Sequence, residues 1–112
     1  MNFYDIWFDL ADSSRDLEFA QDLGAYLGAL QKDGLIEGYV LARRKFGFSP
    51  PGLGDFHVRI VCRDLTQLDQ AFSAAARRTD PLEGLHRNVF SAVRNFRSGL
   101  YREFPDPVRG QP

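Results

Sequence analysis

The clearest periodic signal in the chain runs from Asn2 to Leu10, Asn-Phe-Tyr-Asp-Ile-Trp-Phe-Asp-Leu. Its even positions, Tyr4, Ile6, Phe8 and Leu10, are apolar without interruption, whereas its odd positions, Phe3, Asp5, Trp7 and Asp9, alternate aromatics with carboxylates. Alternation with a period of two in a run rich in aromatic residues predicts a strand. Both faces read as at least partly covered, which places this strand centrally in a sheet and marks its aromatic-plus-carboxylate face as the place for a site.

The pattern then changes to a helical one. Asp12-Ser13-Ser14-Arg15-Asp16-Leu17-Glu18 carries a start signal, with Ser13 as a cap and Asp16 and Glu18 suited to the positive end of the helix dipole. Leu17, Ala20, Leu23, Gly24, Leu27 and Leu30 recur at helical spacing up to a stop at Gly34. Gly24 and Gly28 each cost about 1 kcal/mol against Ala inside a helix, so a close approach to the sheet is the expected compensation. From Leu35 to Phe48 the chain is predicted to be extended, with Ile36, Val40 and Ala42 on one side and Tyr39, Leu41 and Arg43 on the other. Arg43-Arg44-Lys45 fits either an edge strand protected by charge or a cationic ligand contact. Residues 47–54 hold two prolines and three glycines and form a loop, either a plain connection or a flap over a site.

A third strand is predicted over Asp55 to Arg63, with Phe56, Val58, Ile60 and Cys62 opposite His57, Arg59, Val61 and Arg63. A helix follows, with Thr66 and Asp69 as a variant capping box and Leu68, Phe72, Ala75 and Ala76 facing inward. Asp80-Pro81-Leu82-Glu83 starts a second short helix that turns Leu82, Leu85, Val89 and Val93 to the core. Residues 94–104 fit a helix extension or a strand; Ser98-Gly99 and the prolines that follow favour the strand. The expected domain is residues 1–104, with 105–112 as a C-terminal tail.

Strand, helix, strand, strand, helix in two pieces, strand is the split β-α-β order of the ferredoxin-like fold, an α+β class with a four-stranded antiparallel sheet and helices on one face. That arrangement leaves Trp7, Tyr39, Leu41, Val61 and Tyr101 on an open side, a patch that calls for a partner. Two sheets closing face to face would give an eight-stranded barrel, wide enough for packed side chains or one small ligand. The expected assembly is therefore a homodimer, a dimeric α+β barrel.

Composition narrows the classes further. The 112 residues carry a net charge of -1, which argues against a sequence-independent nucleic-acid binder. The charge is unevenly spread: residues 1–37 hold eight Asp/Glu against two Lys/Arg and residues 38–112 hold seven against twelve, a net -6 and +5. Acidic and basic segments lying beside one another in one fold would explain this, as would complementary faces on two subunits. Cys62 is the single cysteine, so an intrachain disulfide is excluded and a buried small hydrophobe is its expected role. Neither a cationic start leading into an apolar run nor an apolar stretch of membrane-spanning length occurs, and a cytoplasmic protein without membrane contact is the expectation.

The motifs Gly99-Leu100-Tyr101-Arg102, Phe104-Pro105-Asp106-Pro107 and Asp64-Leu65-Thr66-Gln67-Leu68-Asp69-Gln70-Ala71-Phe72 resemble those of a family of small bacterial domains of unknown function within the dimeric α+β barrel superfamily. The resemblance covers nearly the whole chain and implies a homodimer with no assigned chemistry. Some monooxygenases of the superfamily use Asn, Trp and His around an aromatic substrate, but no motif aligns Asn2, Trp7 and His57 with those roles.

Chemistry, if present, belongs on the face away from the helices. Asp5, Trp7, Tyr39, Arg43, Arg59 and Tyr101 are the candidate ligand-binding residues and His57 the candidate catalytic base, with the arginines suited to an anionic ligand. The competing reading pairs Asp5 and Asp9 with Arg43 and Arg59 as an internal polar layer, because buried charges need partners whatever the function. His86 is a weaker candidate. No set of side chains has metal-ligand spacing, no glycine loop leads into a helix to cradle phosphate, and no cofactor is implied. The sequence thus supports an uncharacterised homodimeric barrel binding a small anionic or aromatic molecule between its sheets. A cofactor-independent monooxygenase or isomerase and a structural or partner-binding module stand as alternatives.

Overall fold

The computed structural model describes residues 1–77 and 82–105. The Asp80-Pro81 start signal and the tail beyond Pro105 lie outside the described residues, as does the side chain of Leu82. Strand β1 (Asn2–Leu10) leads through a 3-10 turn (Ser13–Arg15) into helix α1 (Asp16–Lys32). Strands β2 (Gly38–Arg43) and β3 (Phe56–Cys62) follow, then helices α2 (Leu65–Ala76) and α3 (Leu82–Phe90) and strand β4 (Val93–Arg102). The sheet order is β2-β3-β1-β4 and every pairing is antiparallel. This is the ferredoxin-like α+β arrangement, with β1 and β3 central, and the ambiguous last stretch is a strand.

One sheet face carries Tyr4, Ile6, Phe8 and Leu10 of β1 and Phe56, Val58, Ile60 and Cys62 of β3, packed against Phe19, Leu23, Tyr26, Leu27 and Leu30 of α1 and Leu68 of α2. The Cys62 thiol is fully buried; burial pushes its pKa up, which leaves it a packing group rather than a nucleophile. The inward set of α1 differs from the predicted one, for Leu17 stands in solvent on the first turn while Phe19 and Tyr26 are buried. In α2, Gln67, Ala71 and Ala74 are buried beside Leu68, and Phe72 is half exposed.

The caps also differ. Asp64, not Thr66, caps α2 by accepting from the backbone N–H of Gln67 at 2.8 Å. The buried Gln67 side chain then accepts from the Arg63 N–H at 2.7 Å and donates to the Gly34 carbonyl at 3.0 Å, tying the end of α1 to the start of α2. The uneven charge along the chain resolves in part through ion pairs between its two segments: Asp5 with Arg59, Asp16 with Arg43 and Glu37 with Arg63.

β2 corrects the predicted faces. Its register sets Gly38, Val40 and Ala42 opposite Val61, Arg59 and His57, and Tyr39, Leu41 and Arg43 opposite Ile60, Val58 and Phe56. Tyr39 and Leu41 therefore pack under the helices and Val40 is on the open face. Ile36 suggested the opposite parity because it is buried, but it precedes the strand and does not share its alternation. Of the two α1 glycines, Gly24 meets the Tyr39 hydroxyl, where an added Cβ would sit 3.5 Å away; at Gly28 an added Cβ meets nothing within 4 Å. Close packing thus does not account for Gly28.

Two substitutions test this packing in urea titrations. Gln67→Ala leaves two backbone groups without their partner and is expected to destabilise the fold by about 2 kcal/mol. Gly28→Ala adds a methyl into free space in a helix and is expected to stabilise by about 0.5–1 kcal/mol.

Candidate functional site on the open sheet face

The odd positions of β1 point away from the helices, and the register brings their neighbours to the same face. Asp5 lies between Arg59 on β3 and Gly99 on β4; Trp7 lies between His57 and Arg97; Phe3 lies between Val61 and Tyr101. Asp5 is 1% exposed although no helix among the described residues covers it. Its cover comes from its own sheet neighbours. Arg59 grips the carboxylate with two prongs, Nε to Oδ1 at 2.9 Å and a terminal nitrogen to Oδ2 at 3.1 Å. His57 Nε2 lies 3.0 Å from Oδ1, and its ring stacks on Trp7 with centroids 5.1 Å apart. The Arg59 guanidinium lies 4.6 Å from the centroid of the Phe3 ring, which fixes it from the other side.

Gly99 completes this arrangement. A Cβ there would come within 3.2 Å of the Tyr101 ring and 3.7 Å of the Trp7 ring, so the missing side chain lets both aromatics close over the strand opposite Asp5. Burial pushes the Asp5 pKa up, but the hydrogen bonds and charges of Arg59 and His57 outweigh it and leave it below the ordinary 3.8. Asp5 is therefore an anion at neutral pH, and an anion accepts hydrogen bonds. The 3.0 Å contact requires His57 Nε2 to carry a proton, which in the neutral imidazole makes Nδ1 the acceptor. Among the described residues Arg59 bonds only Asp5, with two of its five N–H groups, which leaves three for another acceptor.

Five of the seven predicted site residues, Asp5, Trp7, His57, Arg59 and Tyr101, share this face. Tyr39 and Arg43 do not: the β2 register turns both to the helix side, where Arg43 bonds Asp16 at 2.8 Å and lies over the Phe56 ring. Of the competing polar layer, Asp5 with Arg59 forms, whereas Asp9 accepts from Asn95 and from the Asp55 N–H, both at 2.9 Å. Those two bonds lower the Asp9 pKa, Asn95 contributing most. The bond from Asp55 also anchors the loop after β2, where Gly54 passes so close to the Phe8 carbonyl that a Cβ would overlap it. Sequence reasoning did not single out Phe3, although alternation set it on the face of Asp5, and it missed Gly99 and Arg97, which the β4 register sets opposite Asp5 and Trp7. Among the described residues no three His, Cys, Asp or Glu side chains cluster as a metal site, and no helix is long and apolar enough to cross a membrane.

The chain belongs to DUF6614, a family of unknown function whose profile matches residues 1–112. No curated protein matches the sequence. Among solved structures, a dimeric ferredoxin-like protein of unknown function from Jannaschia sp. CCS1 superposes with a TM-score of 0.66 at 7% identity, covering 91% of this chain and 98% of that one. A dimeric protein of unknown function and ferredoxin-like fold from Bacteroides fragilis NCTC 9343 gives 0.59 at 11% identity over 91% and 95%. An ethyl tert-butyl ether D family protein from Bacillus halodurans C-125 gives 0.56 at 12% identity over 93% and 100%. At these identities the likeness is one of fold alone, and it agrees with the ferredoxin-like fold expected from the sequence.

Because the folded-state pKa of Asp5 is depressed, its contribution to stability is complete above the unfolded value near 3.8 and is lost as the pH falls through the lower folded value. Urea titrations between neutral and acidic pH are expected to show Asp5→Asn destabilised at pH 7 by about 1–3 kcal/mol, with the gap to wild type closing as the carboxyl protonates.

Proposed function

We propose that this member of the DUF6614 family is a homodimer whose two open sheet faces meet, enclosing the Asp5–Arg59–His57 cluster as a chamber for a small anionic or aromatic molecule. The observation that carries the reading is a sealed carboxylate ringed by Trp7, Phe3 and Tyr101 on a face that no element among the described residues covers. Val40 and Tyr101 stand 59% and 56% exposed on that face, an apolar load that a second copy would shield. Two of the similar structures are described as dimeric, which supports the same assembly here. The free N–H groups of Arg59 suit a carboxylate or similar anion, and the aromatic rings suit a flat body attached to it.

A second reading adds chemistry at the same place. With Nε2–H held by Asp5, His57 presents Nδ1 as a base, as cofactor-independent proton abstraction requires. Phenylpyruvate, an aromatic anion with an acidic C–H, is a fitting probe. Faster exchange of its C3 protons into deuterated water, lost in His57→Gln, would support the base; unchanged exchange with binding retained leaves a binding protein.

Sedimentation tests the assembly directly. The wild type is expected to be dimeric at micromolar concentration, and Val40→Asp, which sets a charge on the shared face, to weaken the dimer about 100-fold or more. Titration with benzoate is expected to shift the emission of Trp7, the only tryptophan, and Arg59→Lys to reduce that response. A stable monomer in the wild type would overturn the proposal.

A further inference from the structure

The opposite side of the sheet carries a second, separate feature. α3 packs on α1, where Tyr26 meets His86 edge-on at 5.5 Å and Phe90 at 6.3 Å, while α2 lies against β3, touches α3 and sets Phe72 edge-on to Tyr4 at 5.2 Å. The gap between these helices lies over β1 and β4 and forms a cavity of about 260 Å³. Tyr4, Ile6, Leu27 and Ile60 lie among its lining residues, and Phe72, Phe90 and Phe96 are 41–48% exposed there. Among the described lining residues there is no Asp, Glu, Lys or Arg. The polar side chains among its described lining residues are Tyr4, Tyr26 and His86, whose imidazole stacks on Phe90 at 4.2 Å.

We propose that this helix-side cavity is a binding site for a neutral, planar aromatic molecule of two fused rings carrying a single hydroxyl. Its size lies between the roughly 150 Å³ that holds benzene and the roughly 300 Å³ at which drug-sized pockets begin. The rings already in its wall are arranged edge-on and stacked, so they offer both faces and edges to a flat guest. Among its described residues the wall is apolar and holds no fixed counter-ion, so it rejects a charged guest, because desolvating that charge gains nothing in return. His86 and Tyr26 remain to bond the hydroxyl. The inference is independent of the dimer reading, since the cavity lies on the other face of the sheet from Trp7.

Calorimetry with 2-naphthol and naphthalene-2-sulfonate tests it. 2-Naphthol is expected to bind once per chain with a Kd on the order of 100 μM, and the sulfonate at least about tenfold more weakly. Ala71→Leu, which fills the cavity from α2, is expected to weaken 2-naphthol about tenfold or more while far-UV dichroism is unchanged. Should Ala71→Leu fail to fold, Ala75→Leu, also in the lining, makes the same test from nearer the helix surface. Equal affinity for the two compounds, naphthol binding untouched by a folded filled variant, or no binding up to about 1 mM would each overturn the site.

Discussion

A carboxylate nearly sealed from solvent, on a sheet face that has no helix over it among the described residues, is the constraint around which this molecule is arranged. Withdrawing Asp5 from water is unfavourable unless something replaces the lost hydration, and Arg59 and His57 do so with three contacts of 2.9–3.1 Å. Those contacts require β1 and β3 to be neighbours in one register, with Asp5 opposite Arg59 and Trp7 opposite His57. A slip of one residue would turn the carboxylate into the helix-packed core. The polar cluster and the apolar core thus specify the same alignment from opposite sides of the sheet.

The two faces then divide the remaining work. On the helix side, Phe8, Phe56, Val58 and Leu27 supply ordinary apolar burial. On the open side, aromatics are used as covers: Phe3 over Arg59, Trp7 over His57, and Tyr101 closing in where Gly99 leaves room. β4, at the edge of the sheet, exposes Phe96 and Leu100 toward one side and Tyr101 toward the other, so it borders both the open face and the helix-side cavity.

Much of this was legible before any coordinates. Period-two alternation gave β1 two unlike faces, and the same argument aligned β3, because both strands alternate from end to end. β2 was misread because Ile36 is buried without belonging to the strand, which inverted the parity and placed Tyr39 and Arg43 on the wrong face. Leu17 shows the limit of helical spacing, since the first turn of α1 lies beyond the edge of the core. Gln67 carried no signal, because a buried glutamine is defined by the two loops it joins, and these are 33 residues apart at Gly34 and 4 apart at Arg63. The role of Gly99 depends on pairing between the two ends of the chain and that of Phe3 on the pairing of β1 with β3, and no local pattern encodes either pairing.

The most direct test of the account is the coupling between Asp5 and Arg59, measured by a double-mutant cycle on folding stability with Asp5→Asn, Arg59→Gln and both together. Arg59 is partly exposed, so solvent weakens the pair, and the account predicts a coupling of about 1–2 kcal/mol. Effects that add to within about 0.5 kcal/mol would mean that Asp5 is held by something other than its guanidinium partner, and would contradict it.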